Sequence, residues 1–151
     1  MLEVDNPADM AAHLGKSLGT SEWVLIDQDM IDRFADATGD HQWIHVDRER
    51  ARRDMPGGKT IAHGFLTLSL LPRLGASIYR IKNASREINY GCGRVRFTTP
   101  VQVGSRVRLA YTLNKIAPIE GGQRLNFEAT VEIEGQPRPA LVAETIFLAY
   151  D

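Results

Sequence analysis

Acidic and imidazole side chains concentrate in one short segment, residues 39–47, which reads Gly-Asp-His-Gln-Trp-Ile-His-Val-Asp. Asp40 and His45 are five positions apart, so a regular helix would separate their directions by about 140° and a strand would separate them by about 16 Å. They can act on one molecule only if the segment curls, and Gly39 at its start permits a curl. A carboxylate and an imidazole that converge can hold a water molecule and move its proton. Alternatively, Asp40 is a turn residue and His45 a structural hydrogen-bonder.

A metal site at His41, His45 and Asp47 is the weaker reading of the same segment, because alternate positions in an irregular loop are not a typical ligand spacing. Cys92 is the one cysteine in the chain, so no disulfide and no cysteine cluster can form within it. The sequence contains no phosphate-binding loop, dinucleotide fingerprint or nucleophile elbow. We therefore expect neither a metal nor a redox cofactor.

A second candidate feature is the pair His63-Gly64, which opens the most apolar run of the chain. The first backbone N–H groups of a helix lack intrahelical partners. The N–H of Gly64 could therefore hold a carbonyl oxygen that gains negative charge during a reaction. The alternative reading is that Gly64 allows close packing and that His63 is a structural hydrogen-bonder.

The first half of the chain has helical patterns that would position these groups. Apolar residues recur at helical spacing over 28–38, with Asp27 as a cap at the start and Gly39 as the stop. The polar segment 40–47 has no helical period and is predicted to be a loop. Asp47 is expected to cap a short helix at about 48–53.

The apolar run that begins at Ile61 predicts a long helix over 61–79, buried on nearly every side. Pro72 should kink this helix or end its first half. After residue 85 the pattern changes to alternation with period two, in three stretches followed by a continuous apolar run: 94–98, 103–111, 125–133 and 141–148. This pattern predicts an antiparallel sheet that wraps around the buried helix, hence a single α+β domain over residues 1–151.

The composition excludes several classes of protein. The chain has 151 residues, with 18 basic and 19 acidic side chains and a net charge of −1, which argues against nucleic-acid and membrane-surface binding. It has no stretch near the ~20 apolar residues that a membrane span needs, and its first residues do not resemble a signal peptide. With one cysteine, these features lead us to expect a cytoplasmic protein.

Two segments, taken together, resemble a known family. Residues 34–47 resemble the hydratase 2 motif of the MaoC-like dehydratases, and residues 61–71 resemble the central helix that follows the motif in that family. The Asp-His-Gln-Trp-Ile-His form is similar to the NodN-like branch. The resemblance covers roughly residues 20–148. It implies a hotdog fold, in which a curved antiparallel sheet wraps around one long helix.

The resemblance also implies an activity, the (R)-specific hydration of trans-2-enoyl-CoA in fatty acid metabolism. Asp40 and His45 match the catalytic residues, and Gly64 matches the residue whose backbone N–H holds the thioester oxygen. The substrate-binding residues would be Gln42, Ala62, His63 and Phe65. Many members have Asn-Pro where this chain has Gln42-Trp43. The expected partners are the enoyl-CoA substrate and a second copy of the chain, as a homodimer.

Two alternatives stay open. A thioesterase on the same fold would direct water at the carbonyl carbon instead of C3, and a module without catalysis would only bind the acyl thioester. Basic residues lie between the two candidate segments, and they either contact coenzyme A phosphates or form a solvated helix face: Arg48, Arg50, Arg52, Arg53 and Lys59.

Overall fold

An antiparallel β-sheet packs against the helices of the middle of the chain in the computed structural model, which describes residues 1–151. The eight strands are β1 (Leu2–Val4), β2 (Ser17–Thr20), β3 (Val24–Leu25), β4 (Tyr79–Ile81), β5 (Arg86–Phe97), β6 (Arg106–Ile119), β7 (Gly122–Ile133) and β8 (Leu141–Tyr150). The main sheet has the order β2-β6-β7-β8-β5, and β3 also pairs with β6. β1 and β4 form a separate parallel pair. The strand order leaves β5 as one edge of the main sheet.

Five α-helices occupy the region between β3 and β4. They are α1 (Gln28–Thr38), α2 (Trp43–Val46), α3 (Arg48–Asp54), α4 (Gly64–Ser69) and α5 (Leu71–Gly75), with a 3-10 turn at Pro56–Gly58. A further 3-10 helix, Pro7–His13, lies between β1 and β2. None of these helices combines the length and the apolarity that a membrane-spanning helix requires.

The boundaries of α1 and α3 follow from local capping, as predicted. The Asp27 carboxylate accepts a hydrogen bond of 2.9 Å from the Met30 N–H, which has no partner inside the helix. Gly39 ends α1 with φ at 78°, a left-handed conformation that glycine adopts without a Cβ clash. Asp47 caps α3 in the same way, accepting from the Arg50 N–H at 2.9 Å.

The core lies between α4, α5 and one face of the sheet, and the period-two pattern predicted that face. The buried residues of β6 alternate along the strand: Val107, Leu109, Tyr111 and Leu113. Leu66, Leu70, Leu71 and Leu74 belong to the same buried cluster and come from the helical side. Burial of these side chains holds the helices against the sheet, at roughly 1.5–3 kcal/mol for each fully buried large side chain.

The predicted helix over 61–79 is wrong at both ends. Ile61 forms a β-bridge with Gln102 instead, and the helix begins at Gly64. It is divided at Leu70, and Pro72 lies in the first turn of α5, where its missing N–H needs no partner. Tyr79 already belongs to β4. The apolar content that suggested one long helix comes from three different elements.

Two further expectations about this region need correction. The helical segment is not buried on nearly every side, because Phe65 in its first turn is 66% exposed. The segment 40–47 is not wholly a loop, since Trp43–Val46 form the single helical turn α2. That turn is too short for a periodic pattern to reveal.

Candidate active site

The turn α2 folds the chain back, and it brings His45 close to Asp40 and to the start of the central helical segment. One carboxylate oxygen of Asp40 and one ring nitrogen each of His45 and His63 all lie within 4.8 Å of one another. Asp40 is exposed, whereas both histidines are buried. The curl that the spacing of Asp40 and His45 requires is therefore present.

The hydrogen bonds of His45 fix its ring. Its Nδ1 lies 2.7 Å from the Ile61 carbonyl oxygen, which can only accept, so Nδ1 carries the proton. The neutral ring then has an unprotonated Nε2. The backbone reinforces the contact, because the Ile61 N–H donates to the Ile44 carbonyl at 3.0 Å. His45 therefore presents a lone pair on Nε2, which is what a general base needs.

Burial has the largest effect on the charge of His45. It lowers the pKa of the imidazole below its ordinary value, because a buried cation loses hydration, and the neighbouring His63 lowers it further. The hydrogen bond to Ile61 and the Asp40 carboxylate oppose this but do not reverse it. The neutral, basic form of His45 is thus favoured at neutral pH.

His63 lies directly behind His45. The two rings are stacked, with centroids 3.8 Å apart and planes 24° apart. Its Nε2–H donates to the Asp40 backbone carbonyl at 2.9 Å, while its buried Nδ1 has no hydrogen-bond partner in the chain. His63 therefore connects the backbone of Asp40 to the ring of His45.

Asp40 is held by its own loop. Its carboxylate accepts a hydrogen bond from the Gln42 N–H at 3.3 Å, and its N–H donates to the Thr38 hydroxyl at 3.4 Å. The Gln42 side chain is exposed and makes no hydrogen bond within the chain. Gln42 thus supports Asp40 through its backbone, and its amide group stays available to a ligand.

Asp40, His45 and His63 are also the one cluster of side chains that could be considered for a metal ion. A metal binds an imidazole nitrogen in the plane of the ring, at about 2.0–2.1 Å for zinc. The ring planes of His45 and His63 are nearly parallel, and the ring centroids are 3.8 Å apart. A single ion therefore cannot lie in both ring planes at about 2.1 Å from a nitrogen of each ring. The stacked pair is not suited to hold one ion between them.

A cavity of about 200 Å³ opens beside His45. Its lining includes Ala62, Gly64, Thr67 and Phe97. The N–H of Gly64 points to no backbone or side-chain acceptor, so it is free to bind an oxygen atom. A Cβ at Gly64 would lie 2.8 Å from Cδ2 of Phe97, so any other residue at this position would have to displace the Phe97 ring. An acceptor oxygen could thus lie next to both Gly64 and His45.

A second cavity of about 280 Å³ adjoins the first, and the two share Ile61, Thr99 and Pro100 in their walls. The other residues that line the second cavity are uncharged: Met55, Pro56, Gln102, Ser105, Ile133 and Gln136. Apart from the ring of His45, no ionisable side chain lines either cavity. Walls of this kind suit a group with amides better than a charged group.

Comparison with known proteins places the chain in a family. The sequence model of the MaoC like domain matches residues 9–136. The chain belongs to the MaoC-like dehydratase family. This confirms the predicted family, and the expected class of enzyme, a hydro-lyase, at the level of the family.

Two known proteins are each 50% identical to this chain. One is the 3-hydroxyacyl-thioester dehydratase Z of Mycobacterium tuberculosis, with 97% of both chains covered. The other is the Nodulation protein N of Rhizobium leguminosarum bv. viciae, with 92% of this chain and 88% of the relative covered. Among solved structures, an R-hydratase from Pseudomonas aeruginosa superposes with a TM-score of 0.75 at 21% identity, over 91% of this chain and 82% of that one. The predicted hotdog fold is confirmed.

The residues expected to bind substrate in this MaoC-like chain do not all lie at the cavity. Ala62 lines it, and His63 is buried behind His45. Phe65 does not line it and instead makes an edge-to-face contact with Phe97, with ring centroids 5.7 Å apart. Phe65 therefore lies against a residue of the cavity wall without lining the cavity itself.

Two residues that support the site, Gln28 and Thr60, were not predicted from the sequence. Gln28 is buried and its side-chain amide donates to the His45 carbonyl at 2.7 Å. The Thr60 hydroxyl donates to the Gln28 Oε1 at 2.6 Å. One signal was present in the sequence: Gln28 lies on the same face of α1 as the buried Ile31 and Ala35. A polar residue in register with an apolar stripe indicates a buried hydrogen-bonding role.

Proposed function

We propose that the protein catalyses the reversible hydration of a trans-2-enoyl-CoA to a (3R)-3-hydroxyacyl-CoA. One observation carries the proposal. The Asp40 carboxylate lies within 4.8 Å of a ring nitrogen of His45, and His45 lines a cavity together with Gly64, whose N–H has no acceptor in the chain. The family and the dehydratase at 50% identity support the same chemistry.

The first step adds water to C3 of the enoyl thioester. The carbonyl oxygen accepts a hydrogen bond from Gly64, and such a donor typically contributes about 2.7–4 kcal/mol to the transition state. Asp40 and His45 hold the water. The water oxygen forms a bond to C3, the C2–C3 π electrons move towards the carbonyl oxygen to give an enolate, and the water proton passes to Nε2 of His45.

The second step returns a proton to C2. The imidazolium of His45, which lies beside the Asp40 carboxylate, releases its proton and the enolate electrons form the C2–H bond. The histidine returns to its neutral form, and one water molecule has been added across the double bond. Because the water and the proton come from one side of the cavity, a single hydroxyl configuration results, which we assign as R. General acid-base catalysis of this kind contributes roughly 10²–10⁴-fold.

The remainder of the substrate has room in the structure. The cavity that adjoins the first has neutral walls with amide and hydroxyl groups, such as Gln102 and Ser105. These groups can pair with the amides of a pantetheine arm, which coenzyme A and an acyl carrier protein share.

The test follows the absorbance of crotonyl-CoA and of longer enoyl-CoAs during incubation with the protein. Hydration removes the conjugated double bond without releasing a thiol, and chiral analysis should give the (3R) product. Release of free coenzyme A at the same rate would identify a thioesterase instead. Binding of the thioester without loss of absorbance or release of thiol would indicate a module without catalysis.

A further inference from the structure

The buried side chain of Gln28 joins the two chain segments that fix the ring of His45. Its Nε2 donates to the His45 carbonyl oxygen at 2.7 Å, and its Oε1 accepts from the Thr60 hydroxyl at 2.6 Å. Thr60 precedes Ile61, whose carbonyl accepts the His45 Nδ1–H. Gln28 therefore spans both ends of the hydrogen bond that sets the tautomer of His45.

The Gln28 amide is fully hydrogen-bonded, and its contacts to His45 and Thr60 are buried. Gln28 and Thr60 are both buried, with 6% and 1% of their surfaces exposed. The second N–H of the Gln28 amide donates to Asp32 at 2.8 Å, so both donors and the acceptor of the amide are used. The Thr60 carbonyl in turn accepts the Val103 N–H at 2.9 Å, which ties the segment to the chain that follows β5.

We infer that Gln28 and Thr60 are positioning residues, which hold His45 in the Nδ1–H tautomer with Nε2 directed at the substrate. The inference rests on the proposed function, because it assigns these residues to the same acid-base step. A threonine hydroxyl and a glutamine amide suit this task, since each hydrogen bond has a fixed direction. A looser His45 could turn its ring or exchange its proton between Nδ1 and Nε2.

The alternative is that Gln28 and Thr60 only stabilise the fold. Both readings predict a lower melting temperature when a buried hydrogen bond is removed. They differ in what happens to His45 in protein that is still folded. The two titratable side chains that act on the His45 ring, Asp40 and His63, are the same under both readings.

The test uses Gln28→Leu and Thr60→Val, which keep approximate shape but remove hydrogen bonds, and Thr60→Ser, which keeps the hydroxyl. Asp32→Ala is the matched control, because it removes the third bond of the Gln28 amide without touching His45 or Thr60. Each variant is labelled with 15N on its four histidines, and the His45 signals are assigned with His45→Gln.

The 15N spectrum should show His45 as a single Nδ1–H tautomer in the wild-type protein, in Thr60→Ser and in Asp32→Ala. In Gln28→Leu and Thr60→Val it should show a mixture with the Nε2–H form. Their kcat should fall about 10- to 100-fold, with KM changed less than about threefold, because a catalytic group displaced by about 1 Å can lose 10²-fold in rate. An unchanged tautomer with wild-type kcat in the folded variants would overturn the inference.

The spectrum also separates this inference from the proposed function. If the wild-type protein does not hydrate enoyl-CoA but the variants lose the Nδ1–H tautomer, the positioning role stands and the reaction is wrong. If the wild-type protein hydrates enoyl-CoA and both variants keep the tautomer and the rate, the reaction stands and the positioning role is wrong.

Discussion

The imidazole rings of His45 and His63 lie face to face, 3.8 Å apart at their centroids. A charged His45 would lose hydration because the ring is largely buried, and it would be repelled by the neighbouring His63. This repulsion adds to the effect of burial, so the pKa of His45 is lowered, although the Asp40 carboxylate acts in the opposite direction. The consequence is that the neutral form of His45 persists to a lower pH than it does in an ordinary histidine.

The pH dependence of catalysis follows from that shift. If neutral His45 is the base, kcat/KM is full above the pKa of His45 and is lost as the pH falls through it. Because the pKa is lowered, the acid limb of the profile should lie below the ordinary histidine value of about 6.5. The measurement is kcat/KM against pH with crotonyl-CoA. An acid limb above pH 6.5 would contradict the assignment.

Substitution of the two proton-handling groups should nearly abolish hydration. Asp40→Asn and His45→Gln remove acid-base chemistry, which contributes roughly 10²–10⁴-fold. The fold should survive in Asp40→Asn, because Asp40 is exposed and its backbone contact to His63 is retained. The measurement is kcat in protein with a wild-type circular dichroism spectrum.

The neighbours of these residues provide matched controls. Asp36→Asn and His41→Gln change an exposed aspartate and an exposed histidine of the same region, which lie 3.8 Å apart and are outside the cluster at His45. Both should retain activity close to that of the wild-type protein. If Asp40→Asn or His45→Gln kept more than a tenth of the activity, its general acid-base role would have to be abandoned.

Much of the fold was predictable from local patterns. The structure confirms the helix caps at Asp27 and Asp47 and the alternating burial along β6. Each of these features depends on residues that are close in sequence. The helix over 61–79 was wrong because composition alone does not separate a bridge at Ile61 from the helix that follows it. Long-range pairing of Ile61 with Gln102 decides that boundary.

The part of the candidate site that lies in short sequence motifs was predictable. The part that depends on contacts between residues far apart in the sequence was not. Asp40, His45 and Gly64 stand in two short segments whose residue types indicate their chemistry. Gln28 contacts residues that are 17 and 32 positions away, and no local pattern reports such pairs. Such contacts arise only when α1 packs against the turn that carries His45.

Gly64→Ala should lower kcat/KM at least about tenfold, since a small displacement at the reacting centre is costly. The added methyl group would lie 2.8 Å from the ring of Phe97, at the cavity proposed to bind the thioester carbonyl. Phe97 is 46% exposed, so its ring can move and the fold should persist. The double variant Gly64→Ala/Phe97→Ala should recover part of the lost kcat/KM. Full activity in Gly64→Ala alone would exclude close approach at Gly64.

A homodimer is expected to form through the edge strand β5. Its 12 residues pair only with β8 within the chain, and Ile88 and Tyr90 expose 43% and 62% of their surfaces. A long edge strand presents unpaired backbone N–H and C=O groups, and here it also exposes apolar side chains. Pairing with β5 of a second copy would satisfy these groups and bury the side chains. Sedimentation should give twice the chain mass of 16.8 kDa at micromolar concentration.

Charge at that edge should separate the two copies. Ile88→Lys places a positive charge on each β5, and the variant should sediment as a monomer. Leu25→Lys is the matched control, because Leu25 is 49% exposed but belongs to β3 at the other side of the sheet. A wild-type monomer, or dissociation by Leu25→Lys and not by Ile88→Lys, would refute pairing through β5.

Basic residues of α3 are candidates for binding the phosphates of coenzyme A. Arg50 is already engaged, with Asp54 at 3.4 Å and with its guanidinium over the Trp43 ring at 4.1 Å. Arg52 and Arg53 are exposed in the last turn of α3 and have no ion-pair partner. They are available either to phosphate oxygens, as charge-assisted partners, or to water alone.

Salt distinguishes the two cases, because exposed charges are screened over roughly 8 Å at physiological ionic strength. If Arg52 and Arg53 bind the phosphates, KM should rise with salt while kcat holds. The double variant Arg52→Ala/Arg53→Ala should have the high KM already at low salt, with little further effect of salt. Removal of Arg73 and Arg80, two exposed arginines of α5 and β4, should leave both constants unchanged. An unchanged KM in the Arg52/Arg53 variant would assign these arginines to a solvated helix face.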